Sequence, residues 1–182
     1  VDCHLEGLGP AGLIERIELF RPDFTVVVTA PTYLFWRCPP PELGAPLAVL
    51  RTLTGRGGVL VLAGPHGSTT PFPVIEKTGA DFLVRGEFED ILPKLASMPL
   101  SEWEDLPCVY ARGRAKQGSA NETDIALLPP AAWPEGLVER HIHHHHRFHD
   151  EPTGPAAEVE GSRGCPYSCS FCARENFRGT YR

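Results

Sequence analysis

The chain of 182 residues is long enough for one globular domain and part of a second, and its net charge of −6 argues against a nucleic-acid surface. No apolar run approaches the roughly 18 residues of a membrane span, and the start, Val1-Asp-Cys-His4, has neither the basic nor the apolar region of a secretory signal. Six cysteines without such a signal indicate a reducing compartment, so we expect a cytoplasmic protein whose thiols serve metals.

Helices and strands are predicted to alternate through the first half of the chain. Apolar residues at helical spacing predict helices over residues 11–20, 43–54, 71–79 and 88–96. Apolar, often β-branched runs predict strands over residues 24–29, 59–63 and 81–85. This order predicts a Rossmann or flavodoxin-like, doubly wound α/β sheet with right-handed crossovers.

Small and polar residues follow each predicted strand. Such sheets bind ligands at the carboxyl ends of their strands, and glycine lets a backbone approach a bulky ligand closely. The residues in these loops that we consider for binding are Thr29, Thr32, Gly64, His66, Gly67, Ser68, Gly86 and Glu87. A plainer interpretation is that Gly64 and Gly86 only make tight turns between strand and helix.

Residues 98–154 form a predicted connecting segment that is rich in proline and histidine. Residues 106–112, followed by Gly113 and Gly118, predict a small hairpin, and residues 121–138 an extended linker. The run from His141 to His149 holds six histidines. We favour a solvated linker for this run, and the alternative is metal binding or a proton relay.

Three cysteines near the end of the chain, Cys165, Cys169 and Cys172, have the spacing C-x3-C-x2-C. Three thiolates this close can bind three irons of a [4Fe–4S] cluster and leave the fourth iron open for a ligand. A partial zinc site or three of the four ligands of a ferredoxin-type cluster are the alternatives. A zinc module usually shows two C-x2-C pairs, and this motif has one.

This spacing, with Phe171 just before the last cysteine, resembles the signature of radical S-adenosylmethionine (SAM) enzymes. The resemblance implies a [4Fe–4S] cluster on Cys165, Cys169 and Cys172, with SAM on the open iron and Phe171 beside its adenine. It implies one-electron cleavage of SAM to a 5′-deoxyadenosyl radical, with the electron coming from a donor such as flavodoxin or ferredoxin. Residues 156–162 would be the first strand of a partial (βα)6 barrel.

The loops after the predicted strands resemble the cobalamin-binding domain that precedes this barrel in the B12-dependent subfamily. The family's Gly-Gly-Pro-His appears as Ala63-Gly-Pro-His66, and its Arg-Gly-Glu-x-Glu as Arg85-Gly-Glu-Phe-Glu89. The resemblance implies that Thr29 and Thr32 bond to the corrin amides. It also implies that the remaining loop residues, Gly64, His66, Gly67, Ser68, Gly86 and Glu87, approach cobalamin.

The sequence Asp2-Cys-His4-Leu-Glu-Gly7 matches the D-x-H-x-x-G cobalt-ligating motif of methionine-synthase-type B12 domains. That motif follows the first strand of its domain, whereas here a helix and the Thr29 strand follow almost at once. We therefore expect Asp2 to end a second strand and His4 not to bind cobalt. The domain would then lack its first strand and helix in this chain, which starts with Val1 and stops ten residues after Cys172.

These patterns predict three parts: a cobalamin-binding-like domain over 1–97, a connecting segment over 98–154, and the start of a radical SAM domain over 155–182. The predicted function is SAM cleavage by a B12-binding enzyme, most often for methyl transfer from methylcobalamin to a small-molecule or peptide substrate. No catalytic residue can be assigned. The alternative is an iron–sulfur or zinc module for electron transfer, which would use a fourth ligand such as Cys38 or Cys108.

After the motif, arginines recur every fourth residue at Arg174, Arg178 and Arg182. On a helix they would form one positive stripe. We expect this stripe to face water rather than the cluster.

Overall fold

Helices and strands alternate in the computed structural model, which describes residues 1, 3, 6–29, 43–140, 155 and 161–182. The described helices are α1 (Pro10–Phe20), α2 (Gly44–Leu53), α3 (Pro65–Thr69), α4 (Pro71–Thr78), α5 (Ile91–Ser97) and α6 (Leu137–Arg140). The strands are β1 (Phe24–Val28), β2 (Val59–Ala63), β3 (Phe82–Val84) and β4 (Val109–Ala111). Turns of 3₁₀ helix cover Leu100–Asp105, Ile125–Leu127 and Arg174–Asn176.

The four described strands form one mostly parallel sheet in the order β1-β2-β3-β4. β1 pairs with β2 and β2 with β3 in parallel, and β4 runs antiparallel to β3. All three predicted strands are present, and they lie side by side. The predicted hairpin is different: its strand pairs Tyr110 with Leu83 and so extends the main sheet. Tyr110 and Val109 are buried there, which explains why this segment joins the domain core.

Alternate residues of each strand point to opposite faces of the sheet, and both faces are covered. Leu60, Leu62 and Leu83 pack against α1, α2 and α4 in one core cluster. Val61 and Val84 pack on the other face against α5 and Trp103. The Trp103 ring meets Phe24 and Phe82 edge-on, with centroids 5.3 and 5.2 Å away. This arrangement agrees with the α/β fold class that the sequence predicts.

The chain beyond β4 returns to the carboxyl end of β3. Asn121 forms a parallel bridge with Gly86. Most of the predicted barrel strand, residues 156–160, lies outside the described residues, and Gly161 and Ser162 are not in a strand. None of the helices in the described ranges is long and apolar enough to cross a membrane.

Candidate functional site

The carboxyl ends of β1 and β2 are joined by hydrogen bonds within the protein. Thr29 is fully buried, and its hydroxyl donates to the Ala63 carbonyl at 3.0 Å. The Thr29 carbonyl accepts from Nδ1 of His66 at 3.0 Å. With Nδ1 as donor, the neutral His66 ring carries its lone pair on Nε2. His66 is half-buried, and of its two ring nitrogens only Nδ1 makes a hydrogen bond within the described part of the chain.

The small residues of helix α3 serve its packing against the sheet. The buried Ser68 hydroxyl donates to the Gly64 carbonyl at 2.8 Å and accepts from the Gly86 amide at 2.9 Å. A Cβ on Gly67 would lie 2.6 Å from Cδ1 of Leu83, so any larger residue there would force this core side chain to shift.

The predicted cobalamin contacts of Thr29, Gly64, Gly67, Ser68 and Gly86 therefore stay predictions. Their hydroxyls and close approaches are used inside the protein in this structure. Thr32, His4 and the whole histidine run from His141 to His149 lie outside the described residues. The described donors do not by themselves form a cradle for a corrin.

We call residues 85–89 the acidic turn, and residues 163–182, which contain the three motif cysteines, the cysteine loop. Arg85 begins the acidic turn at the end of β3. Its guanidinium donates to the Ser68 carbonyl at 3.1 Å and to the Gly118 carbonyl at 2.9 Å. It also donates to the Asn176 side chain. Arg85 therefore joins the sheet edge to the cysteine loop.

Glu87 of the acidic turn is only 1% exposed. Its Oε2 accepts from the Thr123 amide at 2.8 Å and from the Arg182 guanidinium. Nη1 of Arg163 lies 3.5 Å from the same oxygen. Oε1 has no hydrogen-bond partner in the described part of the chain. Because a buried carboxylate is stable only when paired, these arginines are what allows Glu87 to be buried.

Glu89 pairs with the other terminal nitrogen of the Arg163 guanidinium, Nη2. Nη2 of Arg163 lies 2.7 Å from Oε1 of Glu89, and the Phe88 amide donates to Oε2 at 3.1 Å. Burial raises the pKa of Glu89, but the hydrogen bonds and the charge of Arg163 lower it by more. The net pKa lies below the ordinary value, so Glu89 is ionised at neutral pH.

The three motif cysteines are free thiols in a loop that is open to solvent. Cys165 is half-buried, and Cys169 and Cys172 are exposed. The Cys172 amide donates to the Cys169 carbonyl at 3.1 Å. No three His, Cys, Asp or Glu side chains in the described part of the chain converge as metal ligands. The donor chemistry fits an iron–sulfur cluster, and the exposed loop leaves room for the thiols to close around one.

The other predicted site residues differ in exposure. The Phe171 side chain is 91% exposed, so its face is open to a ligand such as adenine. Cys108 is buried in the core, and burial raises the pKa of its thiol. The raised pKa favours the protonated thiol of Cys108, whereas a metal ligand must be a thiolate. Cys38 lies outside the described residues.

The arginines of the cysteine loop do not form the predicted water-facing stripe. The side chains of Arg174 and Arg182 are 19% and 21% exposed, and Arg182 is paired with Glu87. The expected helix is a single 3₁₀ turn over Arg174–Asn176. The acidic turn and the arginines are both visible in the sequence, but their pairing is not, because local spacing carries no signal for a contact 95 residues apart.

Comparison with known proteins gives one line of support. No protein-family model and no curated protein matches the sequence. A solved structure does match: the radical S-adenosylmethionine methyltransferase TsrM from Kitasatospora setae, with tryptophan substrate and the SAM analogue aza-SAM bound. The match covers 94% of this chain with a TM-score of 0.55 and 20% identity, and this chain spans 34% of the length of that one. The chain is thus similar in fold to about a third of a radical SAM methyltransferase.

Proposed function

We propose that this chain is the part of a radical SAM enzyme that carries the cluster cysteines against an α/β domain of the cobalamin-binding type. The observation that carries the proposal is the coincidence of the C-x3-C-x2-C loop with a fold that matches a radical SAM methyltransferase over 94% of the chain. The spacing and the fold are independent, since at 20% identity the likeness shows the fold alone.

Cys165, Cys169 and Cys172 would hold the cluster through their thiolates. When bound, a [4Fe–4S] cluster with an open iron supplies the electron that cleaves SAM reductively. Phe171 offers an exposed aromatic face for the adenine. The substrate is a small molecule or a peptide, and a flavodoxin or ferredoxin donates the electron to the cluster. Methyl transfer is the reaction class that the TsrM likeness favours.

Two observations support cobalamin as a ligand: the fold, and the Ala63-Gly-Pro-His66 sequence at the carboxyl end of β2. His66 is the described residue best placed to meet it, because Nδ1 is held by the Thr29 carbonyl and none of the described residues bonds to Nε2. The test is the binding of hydroxocobalamin to the apoprotein, followed by visible absorbance. Retention by the wild type and loss in His66→Ala would support the contact. Equal retention in both would remove His66 from the site.

The decisive experiment is anaerobic iron–sulfide reconstitution of the protein, followed by EPR of the reduced cluster with and without SAM. We expect about four irons per chain and a signal that SAM changes. Replacing all three motif cysteines with alanine should abolish both, and the matched control Cys108→Ala should abolish neither. Zinc in place of iron, a signal that SAM leaves unchanged, or loss of the cluster in Cys108→Ala would favour the metal-binding or electron-transfer module instead.

A further inference from the structure

The base of the cysteine loop is closed by its own backbone. The Arg163 amide donates to the Arg182 carbonyl at 2.8 Å, and the Arg182 amide donates back to the Arg163 carbonyl at 3.0 Å. Gly164 has φ +74°, and a Cβ there would lie 2.0 Å from the Thr180 carbonyl oxygen. The two ends of the loop are therefore packed against each other, and the cysteines lie between them.

Both residues that close this base send their side chains to the acidic turn. Arg182 pairs with Glu87, while Arg163 reaches both Glu87 and Glu89. The side chains of the two arginines are 21% and 13% exposed. Because these side chains are largely buried, solvent screens their ion pairs only weakly. The position of the loop base is thus set by two carboxylates of the α/β domain.

The carboxylates are in turn held by the domain. The Glu87 amide donates to the Asn121 carbonyl at 2.9 Å, and the Asn121 amide donates to the Arg85 carbonyl at 2.9 Å. The Asn121 side chain donates to Asp90 at 2.7 Å at the start of α5. Residues 121–123 also reach the loop directly, because Glu122 accepts from the Thr180 amide at 2.6 Å. Hydrogen bonds with Asn121 therefore hold the acidic turn against the α/β domain.

We propose that Glu87 and Glu89 are positioning residues, which fix the cysteine loop on the carboxyl edge of the sheet through Arg163 and Arg182. The part of this inference that concerns the cluster rests on the proposed function, but the docking of the loop does not. Arg163 is two residues before Cys165, so the carboxylates that hold Arg163 also set where the first thiolate lies relative to the domain.

Hydrogen–deuterium exchange of the whole chain tests the docking. In Glu87→Gln, which keeps the shape and removes the charge, we expect amide exchange across residues 161–182 to rise roughly tenfold, as loss of a charge-assisted hydrogen bond predicts. Exchange of β2 should not change. The control Glu104→Gln breaks a 2.8 Å pair with Arg114 away from the loop and should change neither. Wild-type exchange in the loop of Glu87→Gln would overturn the proposal.

A second variant covers the case in which Glu87→Gln unfolds and β2 also exchanges fast. Arg182→Gln changes the loop side of the pair only, so the sheet should stay protected while the loop opens. Arg182→Lys keeps the charge and should retain more protection than Arg182→Gln. A loop that stays closed in Arg182→Gln would also overturn the proposal.

A cluster readout separates positioning from general stability. After reconstitution, Glu87→Gln should bind iron but lose it to a chelator faster than wild type, with β2 still protected. Iron loss at the wild-type rate, despite an open loop, would overturn the link to the cluster. If the wild type itself assembles no iron, the proposed function fails, and the exchange data still decide whether the loop is docked.

Discussion

Two loops at the carboxyl edge of the same sheet use their polar residues differently. In the loop after β2, the Ser68 hydroxyl bonds to neutral backbone groups of the α/β domain, donating to the Gly64 carbonyl at 2.8 Å and accepting from the Gly86 amide at 2.9 Å. In the acidic turn after β3, charged groups bond to residues far along the chain, as Glu87 does with Arg182. The first loop stabilises the domain, whereas the second connects the domain to the cysteine loop. Similar glycine-containing loops at one edge therefore need not share a ligand.

The largest effect should come from filling the space at Gly67. In Gly67→Ala the new Cβ would lie 2.6 Å from Cδ1 of Leu83, in the core. We expect overpacking to lower the free energy of unfolding by about 1–3 kcal/mol. Denaturant unfolding followed by circular dichroism measures it. Gly9→Ala, where no atom lies within 4 Å and φ is −79°, serves as the control for adding a methyl group in open space. Equal losses in the two variants would contradict the packing argument.

The matching change in the cysteine loop is Gly164→Ala, which should act locally. Here the new Cβ meets the Thr180 carbonyl oxygen at 2.0 Å, so the two ends of the loop must separate. We expect fast amide exchange at Arg163 and Arg182 with a global unfolding free energy close to wild type. A loss of global stability as large as that of Gly67→Ala would mean that the two regions do not unfold separately.

Acid should loosen the charged contacts and leave the neutral ones in place. The pKa of Glu122 is lowered chiefly by the hydrogen bond from the Thr180 amide. Burial raises the pKa of Glu89, but the hydrogen bonds to its carboxylate and the charge of Arg163 together lower it by more. A carboxyl with a lowered folded pKa stabilises the structure above its ordinary pKa of 4.5, and that contribution is lost as the pH falls through the lowered value. Docking should therefore be constant from pH 7 to about pH 5 and weaken below 4.5.

This smallest effect can be followed by NMR. The Thr180 and Phe88 amides donate to Glu122 and Glu89, so their shifts should titrate with midpoints below 4.5. Glu122→Gln should remove the transition at Thr180 and keep the one at Phe88. A Thr180 midpoint at or above 4.5 would show that Glu122 does not hold the loop in solution.

The local patterns of the sequence were enough to predict most of the sheet. The run from Phe24 predicted a strand over 24–29, and β1 is Phe24–Val28; the strand predicted over 59–63 matches β2. These strands can be predicted from the sequence because burial on both faces of a sheet requires consecutive apolar residues. The helix predicted over 88–96 begins later, at Ile91, with Asp90 as its N-cap, and Glu87 and Glu89 lie before it in the acidic turn.

By itself the sequence determined the strands, the helices between them and the three clustered cysteines, since each depends on neighbours within a few residues. Only the tertiary structure decided that β4 runs antiparallel on β3 and that Glu87 pairs with Arg182. Both outcomes depend on which distant groups the fold brings within bonding distance. A buried carboxylate must pair with a cationic side chain that the fold brings close to it. The spacing of residues 85–89 does not identify which side chain that is.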